Sequence, residues 1–473
     1  MSSFENIPES AEVVIVGAGV AGAGAAYHLV SSGVKNIVVL EAGSIGNGCH
    51  DTPKSPDHAR NDLDMDQEVE YRHAHRSGTA VLPETSTIKM MVQLYASSSA
   101  DFITHHGREG AQRYLQLTKK GLDIQKALAQ KVLPDVAKQY RSTGSLYLAY
   151  KKDHDDFRSE FETLRSLGEE RVEWYEREQL QHVPGCPPAF HCGIYFPDDA
   201  IINSPEFAKG LLREAVHSGA VRVFEDCRVV DVASSGGDTT ACVTLVNGQT
   251  IKAQHVVVAT GGLHQFKELS GIIRPCWSYL SGVPPHPEYI QKGSVQPALN
   301  PLLNPASRAT SGEDASLSPH NSMNFFTWGF THDWSWVEGA VRVSGEDHFS
   351  AFKPPRTATR CANMGQWVSD MYPGVFTAPG AAVGEAAPLT AMATQCGVYS
   401  ETPDSVPVVG STGPRSPVCY LLGCNAWGQT VLSYASSLVP GLLGYKDLDT
   451  EQKKALSLFT VRRFQLLPGV QEA

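Results

Sequence analysis

Val13-Val14-Ile15-Val16-Gly17-Ala18-Gly19-Val20-Ala21-Gly22-Ala23-Gly24 decides the fold of this chain. Val13 to Val16 is short, apolar and β-branched, the pattern of a parallel strand buried on both faces. It runs straight into GxGxxG, and Ala25 to Val30 continue as a helix. Gly17 permits the tight turn, Gly19 lets the backbone approach a pyrophosphate, and Gly22 lets helix and strand pack closely. The helix N-terminus, with Val20 and Ala21 in its first turn, presents N–H groups and a partial positive charge to phosphates. Ile37 to Leu40 reads as a second buried strand, closed by Glu41, which lies 19 residues after Gly22. A carboxylate at that place accepts from ribose hydroxyls. It would repel a 2′-phosphate. Strand, glycines, helix, strand and acid in this order make a dinucleotide site.

The bulk of the chain sets the limits. Its 473 residues exceed what one core supports, roughly 250–300 residues, so two domains sharing one ligand are expected. With 42% hydrophobic and 19% charged residues it is an ordinary globular composition. The 39 basic and 50 acidic residues leave a net charge of -11, which argues against a nucleic-acid partner. No apolar run reaches the ~18 residues of a membrane-spanning helix. Met1 to Ser10 lacks a basic n-region and the final Gln-Glu-Ala matches no common address, so a cytoplasmic location is expected. The 10 cysteines, none in a CxxC pair, read as reduced core thiols. The 17 histidines show no HExxH or similar spacing, so no metal is expected.

Farther along, residues 85 to 135 look helical, with apolar positions such as Met91, Leu94, Phe102 and Ile103. Ser145 to Ala149 reads as a strand and Asp153 to Leu167 as an amphipathic helix. Gly193 to Phe196 reads as a strand leading to a turn. Ser204 then suits an N-cap with Pro205 at the first helical position. Val221 to Phe224, Cys242 to Val246 and His255 to Val258 read as strands, with Asn247-Gly248 as a hairpin turn. Residues 284 to 320 read as long loops. Phe325 to Trp336 is strongly aromatic, Val341 to Ser344 reads as a strand, Tyr420 to Leu422 as another, and Val431 to Leu443 as a helix.

The choice between FAD and NAD turns on later segments. The strand His255 to Val258 ends in Ala259-Thr260-Gly261. Thr402-Pro403-Asp404 follows, with its tail Pro407 to Gly410, and then Tyr420-Leu421-Leu422-Gly423 before the final helix. Together with the fingerprint, Gly144-Ser145-Leu146, Pro197-Asp198-Asp199-Ala200, Leu458-Phe459 and Arg463-Phe464, this ordered set resembles the D-amino-acid oxidase-like FAD family. That family includes sarcosine oxidase, glycine oxidase and fructosyl-amine oxidases.

The resemblance covers nearly the whole chain. It implies an α/β fold in which a Rossmann-like FAD-binding domain is interleaved with a mixed-sheet α+β substrate domain. The expected division gives 1–80, 197–270 and 395–473 to FAD, and 81–196 and 271–394 to substrate. The implied activity is hydride transfer to flavin N5 from the carbon bearing nitrogen in a small amine or amino acid. Dioxygen or another acceptor then takes the electrons. A 2-hydroxy-acid dehydrogenase, or a flavin-binding protein without turnover, stands as an alternative.

Site residues follow from the resemblance. Gly17, Gly19, Val20, Ala21, Gly22, Glu41 and Ala42, with Arg228 and Val229, are expected on the ADP half, and Ala259, Thr260 and Gly261 at the return of the chain. The loop Asn47, Gly48, Cys49 and His50 is expected to face the flavin. Lys54 falls roughly where sarcosine oxidases carry an arginine. Gly423, Ala426, Trp427, Gly428, Gln429 and Thr430 occupy the turn before the last helix, where many relatives read Gly-His-Gly and some place a lysine at the position of Thr430. Asp404 belongs to the Thr-Pro-Asp motif. Cys396 lies one residue before the position through which some members hold flavin covalently, which here is Gly397. Arg342 stands where sarcosine oxidase has its oxygen-activating lysine, and such a cation can stabilise superoxide electrostatically. His348 suits a base. The aromatic run Phe325, Phe326, Trp328, Trp334 and Trp336 reads either as core or as a cage for a cationic amine.

Overall fold

The structure is a computed structural model that describes residues 6–46, 90–234, 240–262, 269–283, 322–337, 340–349, 358–372, 393–413 and 416–466. Its first sheet grows from the opening stretch. Strand β1 (Ser10–Val16) is followed by helix α1 (Val20–Ser31) and strand β2 (Ile37–Leu40), which lies parallel to β1 in the register Val13 to Ile37. Val13, Val14 and Ile15 are fully buried, as a strand covered on both faces requires. Beyond β2 lies parallel β9 (Val221–Phe224). On the other side of β1 lies parallel β12 (Thr250–Val258), itself beside parallel β19 (Val418–Leu422). The hairpin at Asn247-Gly248 joins antiparallel β11 (Ala241–Leu245) to β12, with β10 (Val229–Ala233) outside it and β18 (Val408–Gly410) beside β19.

The second sheet is mixed. Its order is β17 (Ala393–Glu401), β13 (Arg274–Val283), β16 (Ala340–Phe349), β15 (His332–Val337), β14 (Ser322–Thr327), β5 (Ser145–Ala149), β7 (Cys192–Phe196) and β6 (Glu173–Glu176). Only the β14–β5 pair among these is parallel. A small third sheet pairs β8 (Ala200–Ile202) with β3 (Met90–Met91) and β4 (Tyr140–Arg141). Strand β17 pairs with β13 along its whole length.

Helices fill the space between. The long helix α2 (Ser99–Val132) is interrupted at Gly107. It starts later than the apolar spacing suggests. Ser98 accepts from the Asp101 N–H and caps it, while Met91 is drawn into the ladder with Ala200 and Leu94 precedes the cap. Helix α3 (His154–Ser166) follows the charged pattern. For α4 (Ser204–His217) the cap is Asn203 and not Ser204. The Asn203 amide oxygen accepts from the Glu206 N–H, which makes Ser204 the first helical residue. Helices α5 (Ala358–Met371), α6 (Gln429–Leu442) and α7 (Thr450–Phe459) are the other helices of ten residues or more among the described residues. The stretch 284 to 320 lies outside the described residues. Cys186, Cys192, Cys227, Cys242, Cys276, Cys419 and Cys424 are free thiols. Among the described residues, no helix is long and apolar enough to cross a membrane.

The second sheet has two unlike faces. Trp277, Tyr279, Phe325, Trp334, Trp336, Val341 and Val343 form one buried apolar cluster with Met364 and Val368 of α5. On the other face Tyr147, Ala149, Cys192, Ile194, Phe196 and Phe326 pack into the main core, yet a polar row crosses it and marks it as the polar face. Ser145, Asn324, Ser335 and Arg342 stand directly opposite one another across four adjacent strands. All four are buried.

Candidate active site

The dinucleotide cradle is built by close approach. Gly17 has φ 103, and a side chain there would overlap the Ala259 carbonyl; one at Gly22 would overlap the Gly17 carbonyl. Ala259 donates its N–H to the Val16 carbonyl at 2.8 Å, so β12 brings Ala259-Thr260-Gly261 against the glycine turn. Gly19 is the N-cap of α1 and offers no side chain, and the space where its Cβ would lie is open. The helix end at Val20 and Ala21 is therefore accessible to phosphate.

Glu41 is 6% exposed, and its two carboxylate oxygens accept from the Ala18 N–H at 2.8 Å and the Gly43 N–H at 2.9 Å. Burial pushes its carboxyl above the ordinary value, against those N–H bonds and one from Ala42. A buried carboxylate held only by backbone donors keeps lone pairs for ribose hydroxyls. The Cys227 N–H donates to the Glu41 carbonyl at 2.7 Å, which sets Arg228 and Val229 beside the same end of β2. The Thr260 hydroxyl is buried with no hydrogen-bond partner, an orphaned group that a ligand in the cradle would satisfy. These residues fit FAD.

Asn47, Gly48, Cys49, His50 and Lys54 lie outside the described residues, as does the side chain of Cys396, whose backbone pairs with Tyr279. Asp404 is held from behind. Arg463 forks onto it, Nε to Oδ2 at 2.6 Å and Nη2 to Oδ1 at 3.1 Å, and also donates to the Val406 carbonyl. Its role in the described structure is thus to anchor the segment after β17.

The turn before α6 is tied to that segment too. Gly423 donates its N–H to the Ser400 hydroxyl at 3.0 Å, and the Asn425 side chain accepts from the Thr402 N–H at 2.8 Å. Asn425 and Ala426 are both left-handed, with φ 50 and 62. Gly428 packs against Cys424, Gln429 donates to the Ser204 hydroxyl, and the Thr430 hydroxyl donates to the Val92 carbonyl at 2.7 Å. Trp427 leans on Phe326 at 4.8 Å and Phe330 at 4.9 Å.

A cavity of about 240 Å³ opens where this turn meets the polar face of the second sheet. Tyr399, Cys276 and Phe349 are cross-strand neighbours on its floor. Asp333, Asp347 and Glu401 supply carboxylates, and Phe330 and Trp427 supply rings. Tyr399 Oη lies 2.9 Å from Asp347 Oδ2 and 3.1 Å from Glu401 Oε1. Burial raises Asp333 to about 7, although the Ser344 hydroxyl donates to it. Burial also raises Glu401.

Arg342 is 7% exposed on the same face, in the row next to Ser335, and burial pulls its guanidinium below the ordinary value. His348 is turned away. The register of β16 against β13 slips between Trp277 and Tyr279, where Glu346 takes φ 58 as an inserted residue. Past this bulge Asp347 and Phe349 face the cavity, while His348 pairs with Trp277 and stacks on Tyr279 at 6.0 Å, on the apolar face. The aromatic run divides likewise. Phe325, Trp334 and Trp336 belong to the core on the α5 side, while Phe326, fully buried, and Trp328 belong to the main core on the other side, where Phe326 borders Trp427. Asp333, Asp347, Tyr399 and Glu401 carry no sequence motif of their own chemistry; the only signal was the position of Tyr399 just before Thr402-Pro403-Asp404.

Solved structures share this architecture. Glycine oxidase from Geobacillus kaustophilus superposes with a TM-score of 0.64 at 16% identity, covering 93% of this chain and 96% of that one. L-proline dehydrogenase from P. horikoshii gives 0.64 at 15% identity, covering 97% and 99%. Fructosyl amine: oxygen oxidoreductase (Amadoriase I) from Aspergillus fumigatus gives 0.62 at 14% identity, covering 95% and 90%. No curated protein matches the sequence. Residues 12–439 match the family described as DAO, FAD dependent oxidoreductase. A chain with this cradle, this pair of sheets and a family match over most of its length belongs to the DAO family and is an FAD-dependent oxidoreductase.

Proposed function

We propose that the enzyme oxidises a small amine or amino acid at a carbon–nitrogen bond and passes the electrons to dioxygen or another acceptor. The observation that carries this reading is the cavity beside the turn before α6, lined by carboxylates and aromatic rings on the polar face of the second sheet. FAD, when bound, supplies the hydride acceptor. The chain's own residues bind, orient and manage protons.

On this reading Gly17, Gly19, Val20, Ala21, Gly22, Glu41, Ala42, Arg228 and Val229 hold the ADP half, and Ala259, Thr260 and Gly261 close over it. Ala426 and Trp427 form part of the cavity wall, and Gly423 and Thr430 anchor the turn that carries them. The proposed division assigns 1–80, 197–270 and 395–473 to FAD and 81–196 with 271–394 to substrate. An ammonium must lose a proton before its carbon can give up hydride. Asp333, raised by burial to about 7, is suited to take that proton near neutral pH. Arg342 is proposed to stabilise negative charge that develops near the polar face.

The test is anaerobic mixing of the FAD-loaded enzyme with glycine, proline, propane-1,3-diamine and lactate, followed by flavin absorbance. Bleaching by a nitrogen compound and not by lactate is expected, because lactate offers an acidic cavity a carboxylate with no ammonium to compensate it. Bleaching by lactate alone would make the enzyme a hydroxy-acid dehydrogenase. A yellow protein that none of the four bleaches would favour flavin binding without turnover.

A further inference from the structure

We infer that the cavity selects for positive charge: it takes an organic ammonium, such as a diamine or a substituted ammonium compound, and excludes a free carboxylate. The inference deepens the amine reading above and rests on it.

The argument starts from one proton. Tyr399 carries a single hydroxyl hydrogen, yet its oxygen stands within hydrogen-bond reach of both Asp347 and Glu401, at 2.9 and 3.1 Å. It donates to one carboxylate at a time. The carboxylate left without it needs another donor: the Ser278 hydroxyl supplies one to Asp347, and Glu401 takes a proton or a ligand N–H. An ammonium supplies several N–H donors and compensates the charge at once. A neutral ligand could do only the first.

The rings agree with this. Phe330, Phe349 and Trp427 stand in the same wall, and aromatic faces attract cations. Phe349, 53% exposed, already does so on its outer side, where the exposed Arg274 guanidinium lies 4.6 Å above the ring. Among the described residues no Lys or Arg lines the cavity, and Arg342 is not part of its wall. A carboxylate entering here would meet Asp333, Asp347 and Glu401 with no Lys or Arg in the wall; His332 lines it too, but burial pulls its imidazole down to about 4, so it is neutral, and the Arg274 and Arg360 guanidinium groups that act on Glu401 and Asp347 stand outside the lining. Burial holds the Asp333 and Glu401 carboxyls above their ordinary range, the strain that an entering cation relieves.

The test uses two ligands of similar size and opposite charge, benzylammonium and benzoate, titrated calorimetrically and without oxygen into the oxidised FAD-loaded enzyme. The ammonium is expected to bind and benzoate to give no heat. Asp347→Asn combined with Glu401→Gln is expected to weaken the ammonium about tenfold or more. Phe349→Leu, at the exposed mouth, should weaken it as well; this variant decides the matter if the double variant loses its flavin. Benzoate binding as tightly as the cation, or cation affinity untouched by these substitutions, would overturn the inference. If the ammonium binds but no amine bleaches the flavin, charge selection stands and amine oxidation falls. If glycine or proline bleaches the flavin while the ammonium does not bind, the converse holds.

Discussion

Glu41 shows how much a single side chain can decide. Its carboxylate is buried and braced by two backbone N–H groups, so it points one way. Glu41→Arg should abolish tight FAD retention; a variant purified yellow and stoichiometric would remove Glu41 from the cofactor site. Arg342 is tested by rates. Arg342→Met should slow reoxidation of the reduced enzyme in air far more than it slows reduction by substrate, and equal reoxidation rates would end its assignment. Asp333 makes a pH prediction whose sign is fixed. Its carboxyl sits at about 7 in the folded chain, raised by burial from 3.8. The folded state therefore holds this proton more tightly than the unfolded chain does. That contribution is complete below about pH 4 and is lost as pH rises through about 7. Asp333→Asn should flatten that part of the melting-temperature profile between acid and neutral pH. An unchanged slope would show that the carboxyl is not held up.

At the scale of elements, the C-terminal turn is pinned to the segment after β17 by one buried ion pair. Asp404 is 1% exposed, and Arg463 also donates to the Phe459 and Thr460 carbonyls at 2.7 and 3.1 Å. Removing one partner of such a pair leaves a buried charge and costs about 3–5 kcal/mol. Arg463→Ala should shift the denaturation midpoint accordingly, while the exposed neighbour Arg462→Ala should not. Elements were also where the sequence spoke most clearly. The β1–α1–β2 unit is legible because an apolar run, three glycines and an acid are all local signals. The start of α2 is not, since pairing of Met91 with Ala200 takes a stretch of helical spacing into a sheet. The cavity is less legible still. Tyr399 and Cys276 meet only through cross-strand pairing between segments more than a hundred residues apart, and the facing of Asp347 depends on a bulge that period-two alternation does not reveal.

For the whole molecule, the cradle and the cavity are contributed by different sheets, and on the proposed function FAD would span both. Acid precipitation of the purified protein should leave the flavin in the supernatant. Colour kept in the pellet would mean a covalent bond and would direct attention to Cys396. The division of labour between the sheets also leaves the cavity free to vary, and the bulge in β16 shows how. Glu346, left-handed at φ 58, sets the phase of everything after it in the strand. A β-branched residue resists that backbone angle, so Glu346→Val would press β16 toward regular pairing. His348 would then turn inward and Asp347 outward. One codon, altering neither residue, would exchange an acid for an imidazole in the pocket, a short mutational path by which a descendant of this enzyme could come to accept a substrate of different charge.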